Sequence, residues 1–212
     1  MNLYYCYDAY CGWCFGFSKV INKVAKIYEH QLHTEVLSGG MVLPLKPTHI
    51  GVTANYILEN YGRVEALTGV KFGDDYLWHL KNYAESDWFP NSLMPSVALC
   101  IFKEIYPSLQ VQFASELQQA LFYDGRDLTD KEAYTHLLEK YNIPAAIFHQ
   151  KLQDEVYITK AQQEFQLCKQ LKATGYPYLL LQHSNGKFYV ISQGYSQLED
   201  VVKRIDDCLN LV

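Results

Sequence analysis

A chain of 212 residues, 49% apolar and 19% charged, has enough apolar material for one large globular unit or one unit carrying a sizeable insertion. Its net charge of −5, without a long basic run, argues against nucleic acid as a partner. No stretch is apolar for long enough to span a bilayer, so no membrane partner is expected, and six cysteines in a chain this long are too sparse for a disulfide scaffold.

Met1 leads almost directly into Leu3-Tyr4-Tyr5-Cys6-Tyr7, which reads as a strand. No basic and apolar leader precedes it, so a cytoplasmic address is expected. Phe15 to Leu32 reads as a helix with Phe17, Val20, Ile21, Val24, Ile27 and Tyr28 on one face. His33 to Leu37 is a short strand, stopped by Gly39-Gly40. Helical patterns then dominate to about Leu171. Thr48 to Asn60 predicts the first of these helices. The segment from Tyr61 to Pro90, broken by Gly62, Gly69 and Gly73, gives no clear pattern. Asn91-Ser92 caps a helix through Ile105, which Pro107 ends, and Val111 to Phe122 forms the next. After a turn at Tyr123 to Asp127, Thr129 and Asp130 open another helix. Pro144 suits the first turn of the one after it, and a longer helix runs towards Lys172. The period changes again at Tyr178-Leu179-Leu180-Leu181, a buried strand joined through Asn185-Gly186 to a return strand, Phe188 to Ile191. Ser196 caps a last helix. The expected architecture is α/β. Residues 1–41 and 172–212 form one sheet unit, and residues 42–171 form a helical insertion.

The motif that carries chemistry is Cys11-Gly12-Trp13-Cys14, between the first strand and the first helix. A sulfur at a helix N-terminus meets unsatisfied N–H groups and the positive end of the dipole, which favour the thiolate, the reactive form. The spacing lets the second sulfur reach the first, so a disulfide can close and open. A zinc site needs a second close pair of ligands. Cys100, Cys168 and Cys208 stand alone, and His30 and His33 fall at a helix end, so no metal is expected. Cys6, Cys100, Cys168 and Cys208 read as structural thiols. Asp8 is the acid nearest the pair in sequence; a residue before a turn is expected to cap the chain or face solvent. Tyr176-Pro177, heading the third strand, is the second element, because an X-Pro bond there can turn the backbone of Tyr176 towards an extended peptide.

Cys11-Gly12-Trp13-Cys14 with Phe15-Gly16-Phe17 and the distant Gly175-Tyr176-Pro177 resembles the DsbA-like branch of the thioredoxin superfamily. It looks closest to the cytosolic, FrnE-related group of predicted protein-disulfide isomerases. Ala120 to Asp130 is similar to that group's helical-domain motif, and Gln170 to Pro177 to its approach to the cis-proline. The resemblance implies a thioredoxin-like fold interrupted by a large α-helical domain. It also implies Cys11 as attacking cysteine, Cys14 as resolving cysteine and Pro177 as a cis-proline. Trp13, Tyr176 and Pro177 become substrate contacts; the position of Tyr176 is more often small or β-branched in the family.

These readings predict a thiol–disulfide oxidoreductase, a disulfide isomerase or reductase, acting on protein or peptide thiols and disulfides. The pair itself is the redox group, with no bound cofactor; glutathione is a candidate co-substrate. One alternative is a glutathione-dependent transferase or isomerase of small molecules, similar to the kappa class. Another is a redox-sensitive chaperone or adaptor. Sequence leaves the oligomeric state open.

Overall fold

The computed structural model describes residues 1–211. Strands β1 (Asn2–Tyr7), β2 (His33–Ser38), β3 (Tyr178–Gln182) and β4 (Phe188–Gln193) form one sheet in the order β2-β1-β3-β4. β2 runs parallel to β1, with Cys6 opposite Leu37; β3 runs antiparallel to both β1 and β4. The parallel pair needs a crossover, which is helix α1 (Gly12–Ile27). Between β2 and β3 lie α2 (Gly51–Thr68), α3 (Asp74–Lys81), α4 (Leu93–Ile105), α5 (Gln110–Phe122), α6 (Thr135–Lys140), α7 (Ala145–Lys151) and α8 (Glu155–Gln170). Helix α9 (Leu198–Leu209) closes the chain.

Alternation along β1 sets the two faces. Leu3, Tyr5 and Tyr7 join Phe17 and Ile21 of α1 in the main core. Tyr4 and Cys6 point the other way, into a smaller cluster with Leu37, Leu180 and Cys168 of α8. The main core runs without a break from the sheet into α4 and α5, so the helical segment is packed on the sheet rather than hung from it. All six cysteines are free thiols; Cys208 alone is not buried.

Several expected boundaries move, each for a local reason. α1 begins at Gly12, not Phe15, because Cys11 is extended and its sulfur accepts the amide of Cys14. It ends at Ile27, not Leu32. Tyr28 leaves helical dihedrals, and its hydroxyl donates to Asp206 of α9 at 2.6 Å. Ile27, at the edge of the apolar face, is exposed. α2 runs eight residues beyond Asn60, since a helical glycine at Gly62 costs only about 1 kcal/mol. It stops at Gly69, whose φ of 71° is a left-handed cap. Ser92 holds the N-cap position of α4 as expected, while the side chain that accepts the first helical amide, that of Leu93, is Asn91's. Thr129 and Asp130 lead first into a 3-10 turn, Lys131–Tyr134. Pro144 precedes the helical residues of α7 rather than lying within its first turn. Ser196 makes no cap; its hydroxyl accepts from Ser192, and Gln197 precedes α9.

Phe17 fixes α1 on the sheet. It is fully buried, with ring centroids 6.0 Å from Tyr5 and 6.3 Å from Tyr195. Phe17→Ala is expected to cost about 3–5 kcal/mol in urea unfolding, as emptied aromatic sites do; a loss under about 1 kcal/mol would mean that the site collapses freely.

Candidate active site

The turn that ends β1 is folded around a buried carboxylate. Asp8 is 1% exposed. Its Oδ1 accepts from the amide of Tyr10 at 2.9 Å and the hydroxyl of Ser92 at 2.9 Å, and its Oδ2 accepts from the amide of Met41 at 2.7 Å. Only the Tyr10 bond is the local turn expected of such a residue; the other two reach across the fold and bury the acid. Burial outweighs these donors and raises the Asp8 carboxyl above its usual range. Gln118, in the middle of α5, is as deeply buried. Its Nε2 donates to the carbonyls of Asp8 at 3.0 Å and Cys11 at 3.4 Å, pinning both ends of the turn.

The raised Asp8 carboxyl has a signed consequence for stability. The folded state holds this proton more tightly than the unfolded chain does, so the contribution of Asp8 falls as pH rises from 3.8 through its raised folded value. The stability of the wild type minus that of Asp8→Asn is therefore expected to decline across that window and then level off. Urea unfolding from pH 4 to pH 8 checks it. A flat difference would place Asp8 at the ordinary carboxylate value.

On this turn the two cysteines are graded by depth. Cys11 is 6% exposed and Cys14 is fully buried behind it. Cys11 is the N-cap of α1. Its sulfur accepts from the amide of Cys14 at 3.3 Å and donates to the carbonyl of Tyr176 at 3.4 Å. Burial first, then the adjacent Cys11, push the Cys14 thiol well above its ordinary value; the Asp8 amide, pointing at the sulfur, acts in the opposite direction.

Tyr176 and Pro177 meet this pair from the head of β3, and the bond between them is cis. The Tyr176 hydroxyl donates to the carbonyl of Gly39 at 2.9 Å, laying its ring over that residue. A Cβ on Gly39 would come within 2.1 Å of the ring, so this contact requires the glycine. What Tyr176 turns towards Cys11 is its carbonyl. Trp13 is half-buried beside Tyr195, with the Arg63 guanidinium 5.9 Å above its ring.

An apolar cavity of about 250 Å³ opens between the cysteine turn and α2. Cys11, Trp13, Ile57, Tyr61, Phe72 and Trp88 are among its walls. The site thus gathers Cys11, Cys14, Trp13, Tyr176 and Pro177, all singled out from sequence. It adds Asp8 in a buried role, and Gln118. The one sequence signal for Gln118 was a polar residue on the apolar face of α5.

A model of the DSBA-like thioredoxin domain matches residues 3–206, and the chain belongs to that family, whose members are thiol–disulfide oxidoreductases. Comparison with curated proteins finds no match. Among solved structures, a candidate protein disulfide isomerase from Nitrosomonas europaea superposes with a TM-score of 0.83 at 24% identity, over 98% of this chain and 97% of that one. The cytosolic disulfide reductase DsbM from Pseudomonas aeruginosa gives 0.79 at 24% identity over 100% of both chains. A 2-hydroxychromene-2-carboxylate isomerase gives 0.63 at 11% identity, over 99% of this chain and 94% of that one. These likenesses bear out the fold expected from sequence, a thioredoxin-like sheet carrying a large helical insertion.

Proposed function

We propose that the chain is a dithiol reductase or isomerase of protein and peptide disulfides, with Cys11 attacking and Cys14 resolving. The observation that carries this reading is the grading of two sulfurs at one helix N-terminus: Cys11 stands at the rim and Cys14 is sealed behind it. The Cys11 thiolate attacks one sulfur of a substrate disulfide. A bond forms between them, and the other substrate sulfur leaves as a thiolate. Cys14 then attacks the Cys11 sulfur, the Cys11–Cys14 bond closes, and the second substrate sulfur leaves. The substrate gains two electrons and the pair loses two.

Asp8 is the buried group beside Cys14 suited to accept its proton, since burial raises its carboxyl above the usual carboxylate range and so makes it a better base. The Tyr176 carbonyl, Pro177 and Trp13 border the path of an extended substrate. Two molecules of glutathione, leaving as their disulfide, return the pair to the dithiol. The complex of DsbM with glutathione, a structure 23% identical over its whole length, motivates that choice of donor. A cytoplasmic setting goes with this direction of electron flow. The reading is tested by insulin reduction coupled to glutathione, glutathione reductase and NADPH. NADPH consumption well above the glutathione background is expected; none above it, with protein or small disulfides, would refute the reading.

A second reading rests on the apolar cavity beside Cys11 and on the isomerase that shares the fold. It is a monothiol, glutathione-dependent reaction on a small apolar molecule held against the Cys11 sulfur. Such a reaction has no use for Cys14, which separates the two readings experimentally.

A further inference from the structure

Tyr5 is six residues before Cys11, in the middle of β1. It is 1% exposed, walled by Tyr7 at 5.7 Å and Phe17 at 6.0 Å between ring centroids. These neighbours hold the ring but give its hydroxyl nothing to bond. That oxygen is buried and, among the described residues, has no hydrogen-bond partner of good geometry. The Cys14 sulfur is its hydrogen-bonding neighbour in electrostatic terms, with the Cys11 sulfur and Tyr7 acting on it more weakly. A buried donor left unmatched is costly and calls for a reason. The reason is available in the reaction: a neutral thiol is a poor acceptor, whereas a thiolate is a strong one.

We propose that the Tyr5 hydroxyl is a catalytic hydrogen-bond donor to the Cys14 thiolate, idle in the resting dithiol and engaged only when Cys14 becomes the nucleophile. The inference rests on the dithiol mechanism and assigns this chain's means of forming an anion in a sealed apolar site. Its proton stays in place. Burial and the nearby sulfurs push the phenol well above its ordinary value, so it donates a hydrogen bond without giving up the proton. Around the Cys14 sulfur the other titratable groups are Cys11, Asp8, Tyr7 and Tyr176. Asp8 accepts the proton and Tyr5 stabilises the charge it leaves. In the resolving step the Cys14–Cys11 bond forms, the bond from Cys11 to the substrate sulfur breaks, and the leaving thiolate takes a proton from solvent.

The test separates the two chemical steps. Cys11 is loaded with a thionitrobenzoate group through Ellman's reagent, and release of the coloured thiolate by Cys14 is followed by stopped flow from pH 5 to pH 10. In Tyr5→Phe the release is expected to slow roughly tenfold at neutral pH, as loss of one hydrogen bond to a charged group predicts. The midpoint of its pH profile should move up by about one unit. The second-order loading of Cys11 should be unchanged. The reduced variant should be at least as stable as the wild type, because the hydroxyl it loses was unmatched; a merely structural tyrosine would show the opposite. Tyr5→Leu, which also lacks the hydroxyl, is expected to show the same slow release. Equal release rates and pH midpoints in the wild type and Tyr5→Phe would overturn the role of Tyr5 while leaving the dithiol mechanism in place. A wild type in which Cys14 never releases the group would overturn both.

Discussion

Cys11→Ser is expected to lower disulfide reduction by roughly a thousandfold or more, because an alcohol at this position stays protonated and does not attack sulfur. The substitution is informative because little else changes. Cys11 is the N-cap of α1, and serine is among the best N-cap residues. Its hydroxyl can accept the Cys14 amide that the sulfur accepts now at 3.3 Å. The helix should therefore be as stable as before, and the loss can be assigned to the nucleophile. Insulin reduction and urea unfolding of the same preparation check both halves. Activity above roughly one tenth of the wild type, with an intact fold, would mean that the attacking sulfur lies elsewhere.

Cys14→Ala is expected to leave the first step intact and stop the second. Cys14 is fully buried, so an incoming disulfide meets Cys11 first. Removing one buried sulfur should cost on the order of 1 kcal/mol and leave the chain folded. With Cys14 gone, a single reaction of Cys11 with oxidised glutathione should yield a lasting mixed disulfide, visible by intact mass and by peptide mapping to Cys11. Catalytic reduction of insulin should fall to near the glutathione background. The monothiol reading predicts the reverse: the mixed disulfide turns over, and reaction of a small apolar substrate survives the substitution. The two outcomes are opposite in sign at the same residue.

The parts of the site legible in sequence are those fixed by short spacings. The cysteine pair declares itself through its spacing and its place between a strand pattern and a helix pattern, and the β-α-β start and the Asn185-Gly186 hairpin follow from local periodicity. What was not legible depends on contacts made far along the chain. Asp8 is buried by Met41 and Ser92, 33 and 84 residues away. Gln118 reaches the cysteine turn across 107 residues to Cys11. Tyr5 reads as one more strand aromatic among 18 tyrosines, and only the packing of α1 on β1 sets it beside Cys14. Glycine has two opposite effects on one helix. Gly62 reads as a breaker but sits within α2, whereas Gly69, in a left-handed conformation, ends it.

In the proposed mechanism Cys11 and Cys14 exchange one disulfide for two thiols under conditions a cell can reach. The most direct measurement equilibrates the protein with graded ratios of reduced and oxidised glutathione, quenches with an alkylating reagent, and maps the cysteines by mass. A Cys11–Cys14 disulfide that forms and disappears reversibly with the ratio, while the other four cysteines stay alkylated, is the predicted result. Two thiols that remain alkylated at every ratio, or a disulfide that joins either of them to a different partner, would contradict it.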